Sequence, residues 1–99
     1  MKKNDKQFMM VHYTIKPGSR DKAEKAVRVF VKAVNAGEKR TLFYHAFKGK
    51  KPREYVHVMG FKDAKAERVH SRNLHTVKFV NVLYPLCEQN PVFMRLKGI

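Results

Sequence analysis

The chain has 99 residues, 43% of them apolar, with seven Phe and four Tyr, and a formal charge of +14 from 22 Lys plus Arg against 8 Asp plus Glu. That size predicts one hydrophobic core and no second domain. The apolar run from Phe8 is broken at His12, and the longest runs elsewhere, such as Val29 to Val31, fall far below the ~20 residues of a membrane span, so neither a secretory leader nor a membrane helix is expected.

The single cysteine, Cys87, cannot form an internal disulfide and suits a reducing, cytoplasmic setting. The basic residues are dispersed. Lys2, Lys3 and Lys6 lie near the start, Lys22, Lys25, Arg28 and Lys32 along one segment, and Lys48, Lys50, Lys51 and Arg53 in a loop. This spread predicts a solvated basic surface that attracts anions broadly, not a dedicated nucleic-acid track.

Residues 1–7 read as a flexible basic tail ahead of a single domain over 8–99. Met9 to Ile15 reads as a strand with Val11, Tyr13 and Ile15 on one face and Met10, His12 and Thr14 on the other. Pro17-Gly18 ends it. Ser19 is placed to cap a helix whose apolar residues Ala23, Ala26, Val27, Phe30, Val31 and Val34 form one stripe, and Gly37 is placed to stop it in a left-handed conformation.

Thr41 to Phe47 and Tyr55 to Phe61 are rich in aromatic and β-branched residues and flank the turn-forming KGKKPR, so they read as an antiparallel pair. Asp63 is a good cap for a second helical segment carrying Ala66, Val69, Leu74, Val77, Val80 and Leu83, with a break expected between Ser71 and Asn73. Pro85 and Pro91 bracket its exit, and Val92, Met94 and Leu96 alternate with Phe93, Arg95 and Lys97 as a last strand.

This order is that of an α+β, ferredoxin-like β-α-β-β-α-β fold, with a four-stranded antiparallel sheet and the helices on one face. Alternation gives two apolar sets: Val11, Tyr13, Ile15, Val56 and Val58, and then Met10, Phe43, Phe47, Tyr55, Met59, Phe61 and Phe93. A sheet with one face in water is polar on that face. Something must therefore cover the second face, and an identical subunit is the simplest candidate, giving a homodimer.

The opening VHYTIKPGSRDKAEKAV, the stretch YVHVMGFKDAKAERVHSRNLHTVKF and the ending PLCEQNPVFMRL resemble the antibiotic biosynthesis monooxygenase family of dimeric α/β barrels, from about Met9 to Leu96. The most specific part is Phe61, then Asp63, then HSRNLH. The resemblance implies a homodimer with its sheets face to face and an apolar pocket in each subunit between sheet and helices. It also implies oxidation of a quinol, phenol or related electron-rich ring by molecular oxygen, with no metal or flavin, although some relatives degrade haem or process signalling molecules. Haem-degrading relatives carry an asparagine in the first strand, absent here, and a proximal histidine ten residues after an aromatic position in the second helix; the same count from His70 reaches Val80. No cofactor is therefore expected. The strand-three position that is often acidic is Met59, which offers no carboxylate.

Among the five histidines, His57 shares its strand face with Tyr55, Met59 and Phe61, where it could take a phenolic proton. His70 and His75 match the family's HxxxxH spacing. Five positions along a helix turn through about 500°, leaving the two about 140° apart in projection, so both reach one site only if the break intervenes. His57 and His70 are the expected bases and Arg95 the expected cation, with Tyr55, Met59, Phe61, His75 and Phe93 against a small aromatic substrate. Arg95 would stabilise a quinolate or an enolate if Val92 and Met94 met the helices.

No His or Cys pair has zinc-site spacing, so no metal is expected. Two other classes stay open. One is a non-catalytic ligand-binding or regulatory dimer. The other is an RNA-recognition-like module stacking bases on Tyr55 and His57, although REYVHVMGF lacks that motif's glycine pair and has Met59 where it has an aromatic residue. No specific nucleic acid and no membrane partner are expected.

Overall fold

The computed structural model describes residues 5–99, so residues 1–4 of the expected tail lie outside the described residues. The elements run β1 (Gln7–Thr14), α1 (Arg20–Gly37), β2 (Thr41–Lys48), β3 (Glu54–Phe61), α2 (Ala64–Arg72), α3 (Leu74–Leu83), a short 3-10 turn (Tyr84–Leu86) and β4 (Val92–Leu96). The strands form one antiparallel sheet in the order β2-β3-β1-β4, and with its helices the chain has an α+β, ferredoxin-like fold. The first strand starts two residues before Met9, because Gln7 pairs with Phe61. No helix among the described residues is long and apolar enough to cross a membrane.

The stripe on α1 buries Ala23, Val27, Phe30 and Val34 against the sheet. Both expected ends of this helix differ in detail. Ser19 makes no side-chain cap bond, and Gly37 is the last helical residue without a positive φ. What stops the helix is Glu38, whose backbone is extended and whose side chain turns inward. The second helical segment does break, at Asn73. Asp63 caps α2 by accepting the Ala66 N–H at 2.8 Å, and Asn73 caps α3 by accepting the His75 N–H at 3.2 Å.

The register corrects the two expected faces. Partners across an antiparallel ladder share a face, so Met9–Met59–Tyr44 and Phe93–Val11–His57–Ala46 lie on one side, with Tyr13 and Tyr55 beside them. That side meets the helices. Val56 and Val58 go instead with Met10, Phe43 and Phe47 on the open side. The mismatch arises because alternation fixes phase within a strand but not between strands, and because β2 carries a bulge between Thr41 and Phe43 that resets its phase. After the bulge, Phe43 crosses Gly60, where an added Cβ would lie 2.5 Å from the ring. Likewise Phe93 and Arg95 lie on the side that meets the helices while Val92 and Met94 lie on the open side, the reverse of the phase considered for Arg95.

The core lies between the inner sheet face and the helices, with Ile15 and Phe61 fully buried and Leu83 nearly so. Each such side chain contributes about 1.5–3 kcal/mol by leaving water.

Candidate functional site

A cavity of about 320 Å³ opens between the sheet and the helices, within the size range of small-ligand sites. Strands β1 and β3 supply Met9, Val11, Tyr13, His57, Met59 and Phe61 to its wall, and Phe93 closes it from β4. The helices add Phe30, His70, Thr76, Phe79 and Leu83. Phe30 and Phe79 stack in parallel with centroids 4.1 Å apart, a flat apolar surface suited to a ring.

Two polar assemblies are set into this wall. His57 is 1% exposed, and both of its ring nitrogens are engaged: Nε2 with the Tyr13 hydroxyl and Nδ1 with the Tyr44 hydroxyl, each at 2.8 Å. Burial pulls the His57 pKa down to about 4, so the ring is neutral at neutral pH. Burial also pushes both tyrosines well above their ordinary range, Tyr13 further through the neighbouring Cys87 and Tyr44 further through Tyr13, so both keep their protons.

The second assembly is centred on Glu38. Its Oε1 accepts from His70 Nδ1 at 2.8 Å and from the Thr41 hydroxyl at 2.7 Å, and its Oε2 is bonded by His75 Nε2. Burial acts to raise this carboxyl, but the hydrogen bonds from His70, Thr41 and His75 outweigh it and hold the pKa at about 2. A carboxylate can only accept, so Nδ1 of His70 carries its proton. The Nε2 of His70 is therefore a lone pair when the ring is neutral, with no hydrogen-bond partner among the described residues. The break at Asn73 lets two histidines five positions apart reach one carboxylate.

The expected site residues therefore divide. His57, His70, Met59, Phe61 and Phe93 come together around the cavity. His75 is tied to Glu38 and borders a separate groove between α1 and α3. Tyr55 does not line the cavity: it stacks on Tyr13 with centroids 5.5 Å apart and donates its hydroxyl to Glu24 at 2.6 Å. Arg95 does not line it either. It makes a two-pronged ion pair with Glu67, at 3.0 and 2.9 Å, and also donates to Gln7.

Sequence reasoning missed Glu38, Tyr44 and Thr76, and placed Tyr13 only on a strand face. The Thr76 hydroxyl is buried without a hydrogen-bond partner among the described residues. Nor do three or more His, Cys, Asp or Glu side chains among the described residues form a group able to hold a metal ion. His12 and His45 lie on the open face, away from His57.

These features define a ferredoxin-like domain with an apolar cavity between sheet and helices, and its fold is that of solved structures of antibiotic biosynthesis monooxygenases. A candidate antibiotic biosynthesis monooxygenase from Nitrosomonas europaea superposes with a TM-score of 0.90 at 12% identity, over 100% of this chain and 95% of that one. Another candidate from Caulobacter crescentus gives 0.90 at 16%, over 97% and 92%. A third structure, of an antibiotic biosynthesis monooxygenase, gives 0.87 at 19%, over 94% and 98%. At these identities the likeness is one of fold. No protein-family model and no curated protein matches the sequence.

Proposed function

We propose that the protein is a cofactor-independent monooxygenase-like enzyme that oxidises a small phenol or quinol with molecular oxygen, as a homodimer in a reducing cytoplasm. The observation that carries this reading is His70: a wall residue of an apolar cavity, anchored through Nδ1 on a buried carboxylate and left with a free basic nitrogen. Nε2 of His70 takes the phenolic proton, and Glu38 stabilises the cation that forms. The resulting phenolate gives electrons to oxygen directly. One oxygen atom enters the ring as a carbonyl as a ring C–H bond breaks, and the other leaves as water with the two hydrogens lost by the substrate. All four electrons come from the substrate, so no external reductant is needed. His57, neutral and held between two tyrosines, is better suited to donating or relaying a hydrogen bond than to removing a proton. The fold of the structures compared above and the free thiol of Cys87 are consistent with this reading.

The test is oxygen uptake across a panel of quinols and phenols without added metal, flavin or haem. A rate above buffer for at least one compound is expected. Buffer rates throughout would leave a non-catalytic ligand-binding dimer in its place.

Dimerisation is proposed through the open sheet face, where Phe47, Val92 and Met94 are 55%, 51% and 48% exposed beside Met10, Phe43 and Val58. Light scattering is expected to give about twice 11.6 kDa. Val58→Asp, at the centre of that face, is expected to yield monomer, and a wild-type monomer at micromolar concentration would refute the arrangement.

Oligonucleotide binding is expected to be weak, unspecific and steeply weakened by salt. Tyr55 and His57, the residues that would have to stack on bases, are 5% and 1% exposed and face the helices. Tight binding at high salt that is lost in Tyr55→Ala would contradict this.

A further inference from the structure

We propose that the ligand of the cavity carries a carboxylate or phosphate group, and that Arg68 and Arg72 hold this anion at the cavity mouth; this rests on the reading that the cavity takes a small aromatic compound. Glu67 and Ser71 line the cavity and also line a shallow depression beside it, so the two spaces share a wall. Arg68, Arg72 and Arg95 border that depression. Glu67 is its only acid, and both Glu67 oxygens are already committed to Arg95 at 3.0 and 2.9 Å. Arg68 and Arg72 are exposed, stand one turn apart on α2, and have no hydrogen bond or ion pair among the described residues.

Like charges one helical turn apart repel, and an anion placed between them relieves that repulsion. Two guanidinium forks also match the planar geometry of a carboxylate or the oxygens of a phosphate. The apolar cavity cannot solvate a charge, so a ligand that is both aromatic and anionic would place its ring inside and its charge at the rim. Lys65 borders the outer side of the same arginine pair and adds to the positive field.

The test is calorimetric binding of three probes of matched ring size, naphthol, naphthoate and naphthyl phosphate, at low and high salt. At least one anionic probe is expected to bind about tenfold more tightly than naphthol at low salt, with the preference shrinking as salt rises. Arg68→Gln with Arg72→Gln is expected to abolish the preference and leave naphthol binding unchanged. Lys22→Gln with Lys25→Gln, an equal loss of charge at the α1–α3 groove, is expected to keep it. Naphthol binding without any anionic preference, a preference that survives in the arginine variant, or one lost equally in the lysine variant would each overturn the proposal while leaving the cavity reading intact. If none of the three binds, the cavity reading falls and takes this one with it.

Discussion

His70→Ala is expected to lower turnover by about 10²–10⁴-fold at neutral pH, the usual contribution of a positioned general base, while the chain stays folded. Of the ionisable groups in the cavity wall, this ring combines contact with the cavity, a free nitrogen and a charged orienting partner. Tyr13 and Tyr44 are held protonated by burial, and His57 has both nitrogens engaged. Glu38 does not line the cavity, so it acts on the reaction only through His70. Glu38→Gln is therefore expected to reduce kcat with little change in KM, because the ligand still meets the same wall. Steady-state oxygen consumption with any quinol that wild type oxidises reads both effects. A wild-type rate in His70→Ala would remove the residue from the mechanism.

The fold is also expected to lose stability in mild acid, before its carboxylates titrate. An unfolded histidine titrates near 6.5, whereas burial lowers the folded His57 to about 4. Between those values the unfolded chain binds a proton that the folded chain refuses, so stability present above pH 6.5 is lost as pH falls toward 4. The loss amounts to roughly 3 kcal/mol for the single group. Below that window Glu38, held at about 2, continues the decline as its carboxyl titrates. Urea denaturation at fixed protein concentration from pH 7.5 to 4 measures the slope. His57→Gln keeps a donor and an acceptor between the two tyrosines but cannot titrate, and it is expected to flatten the curve between pH 6.5 and 4. Parallel curves for wild type and variant would show that the buried histidine does not set the acid response.

The element order was readable because each signal is local: the stripe through Ala23, Val27, Phe30 and Val34, the alternation of β3, and the cap at Asp63. Part of the cavity was readable for the same reason, since alternation alone puts His57, Met59 and Phe61 on one side of β3. What stayed hidden depends on register and on distance along the chain. Phe43 and Phe47 were grouped with Tyr55 because no local pattern reports the phase between strands, and the bulge at Leu42 shifts that phase again. Glu38 sits in the run Gly-Glu-Lys-Arg, which looks like an ordinary solvated turn. Its burial becomes visible only once α2 and α3 bring His70 and His75 to it from 32 and 37 residues away.

The tyrosine–histidine–tyrosine assembly holds more polar hydrogens than it has contacts to place them in. Two hydroxyls and one neutral imidazole bring three hydrogens to two contacts of equal length, 2.8 Å each. One hydroxyl hydrogen is therefore always in surplus. It belongs to Tyr13 when the imidazole proton is on Nε2 and to Tyr44 when that proton is on Nδ1. Moving the surplus from one end to the other needs only a change of tautomer, with no change in the positions of the heavy atoms. With either tyrosine replaced by phenylalanine one of the two contacts is lost, so the surplus hydroxyl hydrogen has no second hydroxyl to move to.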